Sequence, residues 1–297
     1  MKSTKLIDRK LPGYTKGEEI FNMVSHIVGG GFGVIALVSC VVYSFLFSDA
    51  YGIVGSFIYG FSMILLYTMS SIYHGLRVGT AKKVFQIIDH CTIFILIAGT
   101  YTPIVLTAIR RADPALGWGI FGLVWGVSAL GIVLNAIDLK KYATFSMICY
   151  LGLGWCVVLG GKTALAAIPS TGMILILAGG IAYTVGAVFY GIAAKKKWRY
   201  VHSVFHLFVV FGSILQYVAI IGFILSYYIL NKEYSYQEAW EEDLWEALWQ
   251  EHLSFTNMKY SPEAADCGFD DFFEHDFAED FIYWHNVTDS IITVNNL

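Results

Sequence analysis

Two histidines four residues apart, His202 and His206 in the run His-Ser-Val-Phe-His, are the side chains of this sequence best suited to chemistry. On a helix that spacing puts both imidazoles on one face, close enough to share a single ion. Ser70 and His74 have the same spacing, and Asp89 and His90 follow them. Such side chains are costly inside an apolar span, so each is a candidate for function. Three neutral imidazoles, from His74, His202 and His206, leave the fourth tetrahedral position of a zinc ion open for water, as in catalytic rather than closed structural sites. Zinc lowers the pKa of its water to about 7. Asp89 is then expected to hold or deprotonate that water, and Ser70 to hydrogen-bond to it or to a substrate oxygen. The plain alternative is that each histidine merely hydrogen-bonds between helices and that the pair is coincidence. A third histidine and a carboxylate at the same expected depth favour the metal. His90 directly follows Asp89 and is expected to face away from it in a structural role, while His26 is expected to be interfacial or a packing residue.

The elements that position these residues are membrane helices. The chain has 297 residues, of which 57% are hydrophobic and 14% charged, with a mean hydropathy of +0.61. That is more apolar material than a water-soluble core uses. A hydrocarbon layer about 30 Å thick needs about 20 apolar residues, and seven such runs are present, at 24–47, 53–76, 86–109, 116–136, 143–165, 171–194 and 200–230. The predicted fold is therefore all-α, a seven-helix transmembrane bundle in the cell membrane. Its expected parts are a basic cytoplasmic segment 1–20, the bundle 21–230 and a tail 231–297. Pro103 removes a backbone donor inside the third run and predicts a kink near Tyr101 and Thr102. Glycines within the runs predict close helix packing.

Lys and Arg in short flanking segments are retained in the cytoplasm. Fourteen of the 19 lie in the N-terminal segment and in the links after the second, fourth and sixth runs. The sequence thus predicts a cytoplasmic N-terminus and an odd number of crossings. It also brings the end of the second helix and the starts of the third and seventh to one side of the membrane. The five cysteines are odd in number, and four of them lie in apolar runs without paired spacing, which suits packing rather than a disulfide framework.

The tail reverses the charge balance: residues 231–297 hold 16 of the 23 Asp and Glu and two of the basic residues. Trp240, Leu244, Leu248 and Trp249 recur at helical spacing, which predicts an amphipathic helix lying at the membrane interface or binding an unknown partner. An acidic disordered extension is the competing expectation. His252, His275 and His285 are irregularly spaced among carboxylates, as in a solvated segment. The expected partner of the whole is membrane lipid, and no nucleic-acid partner is expected.

The Ser-x-x-x-His of Ser70 and His74, the Asp89-His90 pair leading into Ala-Gly-Thr-Tyr-Thr-Pro at 98–103, and the His-x-x-x-His of 202–206 resemble the hemolysin III branch of the progestin and adipoQ receptor family. The stretch Glu18-Glu19, Asn22, Ser25-His26 is also similar, and the resemblance covers about residues 16–230. It implies a seven-helix bundle with its N-terminus inside, in which His74, His202 and His206 bind zinc while Asp89 and Ser70 support the water. Related receptors and the alkaline ceramidases suggest hydrolysis of lipid amides, and the bacterial branch is associated with hemolysin labels and membrane-lipid homeostasis. Three functions are therefore open: a zinc-dependent hydrolase of a membrane-lipid amide or ester, a zinc-stabilised receptor or regulator, and a membrane-lytic protein. The long acidic tail departs from the bacterial pattern.

Overall fold

The computed structural model describes residues 6–196 and 198–225, and every described regular element is helical. The expected tail helix and histidines, the end of the seventh run at 226–230, and basic residues Lys2, Lys5, Lys197, Lys232 and Lys259 lie outside the described residues. Helix α1 spans Lys16–Phe47, α2 Ala50–Gly75 and α3 Thr80–Pro103. The third helix continues through a π-helical turn at Ile104–Ile109 into a last short turn, α4, at Arg110–Ala112. Helix α5 is Pro114–Asp138, α6 is Ala143–Gly154, α7 is Gly161–Ala167, α8 is Ser170–Lys196 and α9 is Val201–Ala219. Six of the resulting helices are long and apolar enough to cross a bilayer, and α6 with α7 form a seventh crossing if that bent pair is one span.

Helix α1 begins at Lys16, well before the apolar run at 24–47, and so extends into the segment 1–20 expected to precede the bundle. The reason is local. Thr15 and Glu18 form a capping box that satisfies the first free N–H groups. Along α1 the buried residues are Glu18, Asn22, His26, Gly29, Gly33, Ala36, Cys40 and Ser44. They recur every three to four residues and are polar or small, while Val28, Ile35, Val38 and Phe45 face outward. This is the amphipathic stripe of a helix turned inside out, as lipid outside and a polar interior require. A Cβ on Gly29 would come within 2.8 Å of the Tyr67 ring, so its absence lets α2 lie close and lets Tyr67 reach past α1 to donate to Ser213 Oγ at 2.7 Å.

The third and fifth runs are less regular than uniform hydrophobicity predicts. Where a kink is expected near Tyr101 and Thr102, the helix runs on through Pro103 into a wider π turn, and Thr80–Ala112 remains one span. The run 143–165 is not one helix: it breaks at Trp155 and the axes of its halves differ by 46°. Gly161, at φ 50°, takes the left-handed backbone that favours glycine. The groups freed by the break find a partner in Tyr101, whose hydroxyl donates to Gly154 O at 2.9 Å and accepts from Val157 N at 2.9 Å. A hydroxyl of the third helix thus holds the break in the fifth run.

Candidate metal centre

His74 sits in the last turn of α2, and His202 and His206 lie in the first two turns of α9. The bundle brings these ends together, so that one ligand atom from each histidine lies within 4.8 Å of the others. All three are buried. Nε2 of His202 and Nε2 of His206 are 3.0 Å apart, a separation suited to one shared proton or to two lone pairs facing one cation. Nε2 of His74 and Nδ1 of both other rings lie buried without a hydrogen-bond partner. A buried nitrogen left in that state is expensive, and a metal ion held with the facing Nε2 pair of His202 and His206 would satisfy Nε2 of His74, though not the two Nδ1 atoms.

The orientation of His74 is set by Glu19, whose Oε2 lies 2.7 Å from His74 Nδ1. A carboxylate there favours the proton on Nδ1 and leaves the Nε2 lone pair for a ligand. The other oxygen of Glu19 pairs with Lys82 Nζ at 2.9 Å. Lys82 is itself buried and donates to the carbonyls of Tyr73, His74 and Leu76 at 3.0, 3.3 and 3.1 Å, so a cation closes the C-terminal end of α2. Glu18 holds the neighbouring strand of chain: Oε1 accepts from the backbone N–H of Tyr200 at 2.7 Å, where the chain takes a left-handed turn into α9. Asn22 adds a second tie, its Oδ1 accepting from Ser203 Oγ at 2.7 Å.

Tyr14 lies over the site before the first span begins. Its ring stacks on His202 with centroids 4.9 Å apart and planes 16° apart, and reaches His74 at 5.9 Å. Burial first, and then Tyr190 and the carboxylates nearby, push its phenol above the ordinary range, so it stays a neutral hydrogen-bonding group.

Ser70 precedes His74 by one turn, with a buried and unpartnered hydroxyl. Asp89 comes from α3, and it shares with Ser70, His202 and His206 a partly enclosed cavity of about 140 Å³. The cavity continues between Leu66, Ile97 and Val209, away from the polar end. His90 does not face away from this space: it lines the same cavity, with Nδ1 3.7 Å from Asp89 Oδ2 and Nε2 3.2 Å from the Tyr190 hydroxyl. Successive helical residues are about 100° apart rather than opposite, and that is close enough for both side chains to reach one cavity. His26, expected at an interface or in packing, is buried with its ring centroid 3.8 Å from that of His206, and neither of its nitrogens has a partner.

The model of haemolysin-III related proteins matches residues 14–217 of this chain. The chain belongs to that family. It is 33% identical over 208 residues to "Hemolysin-3" of Bacillus cereus, covering 70% of this chain and 92% of that one. It is 34% identical over 208 residues to "Hemolysin-3 homolog" of Bacillus subtilis (strain 168), covering 70% of this chain and 95% of that one. The haemolysin-III match begins at Tyr14, the ring stacked on His202, and contains all the residues around the triad. With its apolar helices, this haemolysin-III family protein is a multi-pass membrane protein. Glu19, His26 and Tyr14 are the neighbours of the triad that spacing alone missed. His26 belongs to the polar stripe of α1, whose three-to-four-residue period is the signal that finds it, and Glu19 directly follows Glu18, the first member of that stripe.

Proposed function

We propose that this haemolysin-III family protein is a zinc-dependent hydrolase acting on an amide or ester bond of a membrane lipid. The observation that carries the reading is the meeting of His74, His202 and His206, two of which line with Asp89 and Ser70 a largely apolar cavity. The donor set is three imidazoles with no thiolate, which suits zinc among the first-row ions. The 3.0 Å between the two facing nitrogens approaches the edge of about 3.3 Å in a tetrahedron with Zn–N distances of about 2.0–2.1 Å. Bound there, zinc supplies a Lewis acid that polarises a carbonyl oxygen.

The protein's own side chains do the rest. Glu19 holds His74 with its outer nitrogen protonated and its inner one free. The unpartnered Ser70 hydroxyl donates to the substrate's carbonyl or headgroup oxygen. The Asp89 carboxylate takes the proton of the attacking water and returns it to the leaving amine or alkoxide. The apolar walls formed by Leu66, Ile97 and Val209 hold an acyl chain and keep other water away. Incubating the zinc-loaded protein with ceramide-like lipids and following release of the fatty acid by mass spectrometry tests the reading. Release that disappears on chelation is expected; no release from any lipid amide or ester overturns it.

A further inference from the structure

His26 belongs to two spaces at once. On one side it lines the inner cavity with His206, and on the other it lines an open groove of about 600 Å³ between α1 and α2. That groove is walled by Met23, Ile27, Val34, Ile64 and Ile72 and floored by Gly30 and Gly31, whose missing side chains leave it open. Ile27 and Val34 are among the outward-facing apolar residues of α1, so the mouth of the groove faces hydrocarbon. Thr68 and Ser71 also line it, the Ser71 hydroxyl donating to Tyr67 O, whereas at its inner end stands an imidazole with both nitrogens buried and unpartnered. Elsewhere α1 and α2 are in close contact, with Gly29 against Tyr67 and Gly60 against the backbone of Leu37. The opening is therefore local, and it stops at His26.

We propose that this groove is the site where an acyl chain of a membrane lipid enters the protein from the bilayer, with His26 hydrogen-bonding the lipid's carbonyl or amide and forming the wall between groove and histidine triad. A volume of about 600 Å³ lies within the range of small-ligand sites, about 300–1,000 Å³. The apolar lining suits a hydrocarbon chain. An imidazole can donate to a carbonyl through one nitrogen and accept from an amide N–H or hydroxyl through the other. A lipid with such a group beside its chain satisfies His26, whereas a plain hydrocarbon leaves it orphaned. The inference rests on the reading of the cavity as a lipid site and adds the route to it.

The test uses the full chain in palmitoyl-oleoyl phosphatidylcholine vesicles doped with a fatty-acid amide that carries a photoreactive diazirine in its chain. Adducts are mapped by mass spectrometry. The parent is expected to label in the groove, at Met23, Ile27 or Ile72, and in the cavity, at Leu66 or Val209. Gly31→Trp fills the groove from a position whose added Cβ meets nothing within 4 Å, and is expected to lower both sets of adducts at least several-fold. Gly122→Trp, equally unhindered on α5, is expected to leave both unchanged. His26→Leu is expected to keep groove labelling and lose cavity labelling, with His26→Gln restoring part of it. Full cavity labelling in Gly31→Trp would overturn the route while sparing the lipid reading. Absence of cavity adducts in the parent would overturn both, and a parent that runs as a dimer and lacks groove adducts would assign the groove to a second copy of the chain.

Discussion

The carboxylate of Glu19 reaches from the first turn of α1 to the last turn of α2 and meets the outer nitrogen of His74 at 2.7 Å. It meets Lys82 in the same geometry at 2.9 Å, so the orientation of one histidine depends on an ion pair between helices. Replacing Glu19 with Ala frees the imidazole to turn and leaves a buried ammonium without its counter-charge. Zinc affinity is expected to fall about 10–100-fold, and competition against a chromophoric chelator measures it.

Removing a histidine acts more directly. His202→Ala or His206→Ala takes away one of three ligands, and each variant is expected to lose most of its zinc in elemental analysis of the purified protein. His74→Ala is expected to lower zinc content and thermal stability together, because that side chain joins α2 to α9 through the site. Undiminished zinc in the two α9 variants would exclude this triad.

Asp89→Asn separates binding from catalysis. The amide keeps the size of the side chain and is no ligand, so zinc content and the thermal midpoint are expected to stay at parent levels. Lipid hydrolysis is expected to fall at least 100-fold, since an amide cannot accept the proton. Turnover and zinc content measured on the same preparation decide it.

Orientation follows from charge. A reporter in the link containing Lys140 and Lys141 is expected to be cytoplasmic, and one at Ala112–Asp113 extracytoplasmic. Cysteine-accessibility labelling from each side gives the answer, and the reverse pattern would put the triad at the outer face.

Much of the bundle is legible in the sequence because lipid imposes one rule on every span, a long apolar run. The triad is legible because polar residues stand out against such runs: Ser70 with His74 and His202 with His206 each announce a helical face. What surrounds them is less so. Glu19 precedes the first apolar run and His26 stands near its start, and in isolation they look like residues of a membrane edge; the stripe that His26 forms with Glu18, Asn22 and Gly29 emerges only when the helix is extended back to Lys16. The break in 143–165 is hidden because residues on both sides of Trp155 are equally apolar. It depends on a hydroxyl from another helix, that of Tyr101, which no local pattern reports.

Tyr101→Phe tests that last dependence. It leaves Gly154 O and Val157 N buried without their partner, each such loss costing roughly 1–3 kcal/mol. A lower thermal midpoint is expected, with faster hydrogen exchange confined to residues 154–161. Unchanged exchange there would show that other groups hold the break.

The inverted stripe of α1 also bears on how this protein comes apart. Its outward residues already lie against hydrocarbon, and they stay there if the helix leaves its neighbours within the bilayer; what becomes exposed is Asn22, His26, Ser44 and bare glycine backbone. No large apolar area is then transferred to water, and that transfer is the source of the heat-capacity change in soluble proteins. Separation of the helices in lipid is therefore expected to carry little heat-capacity change, with an enthalpy nearly independent of temperature and no cold-induced loss of structure.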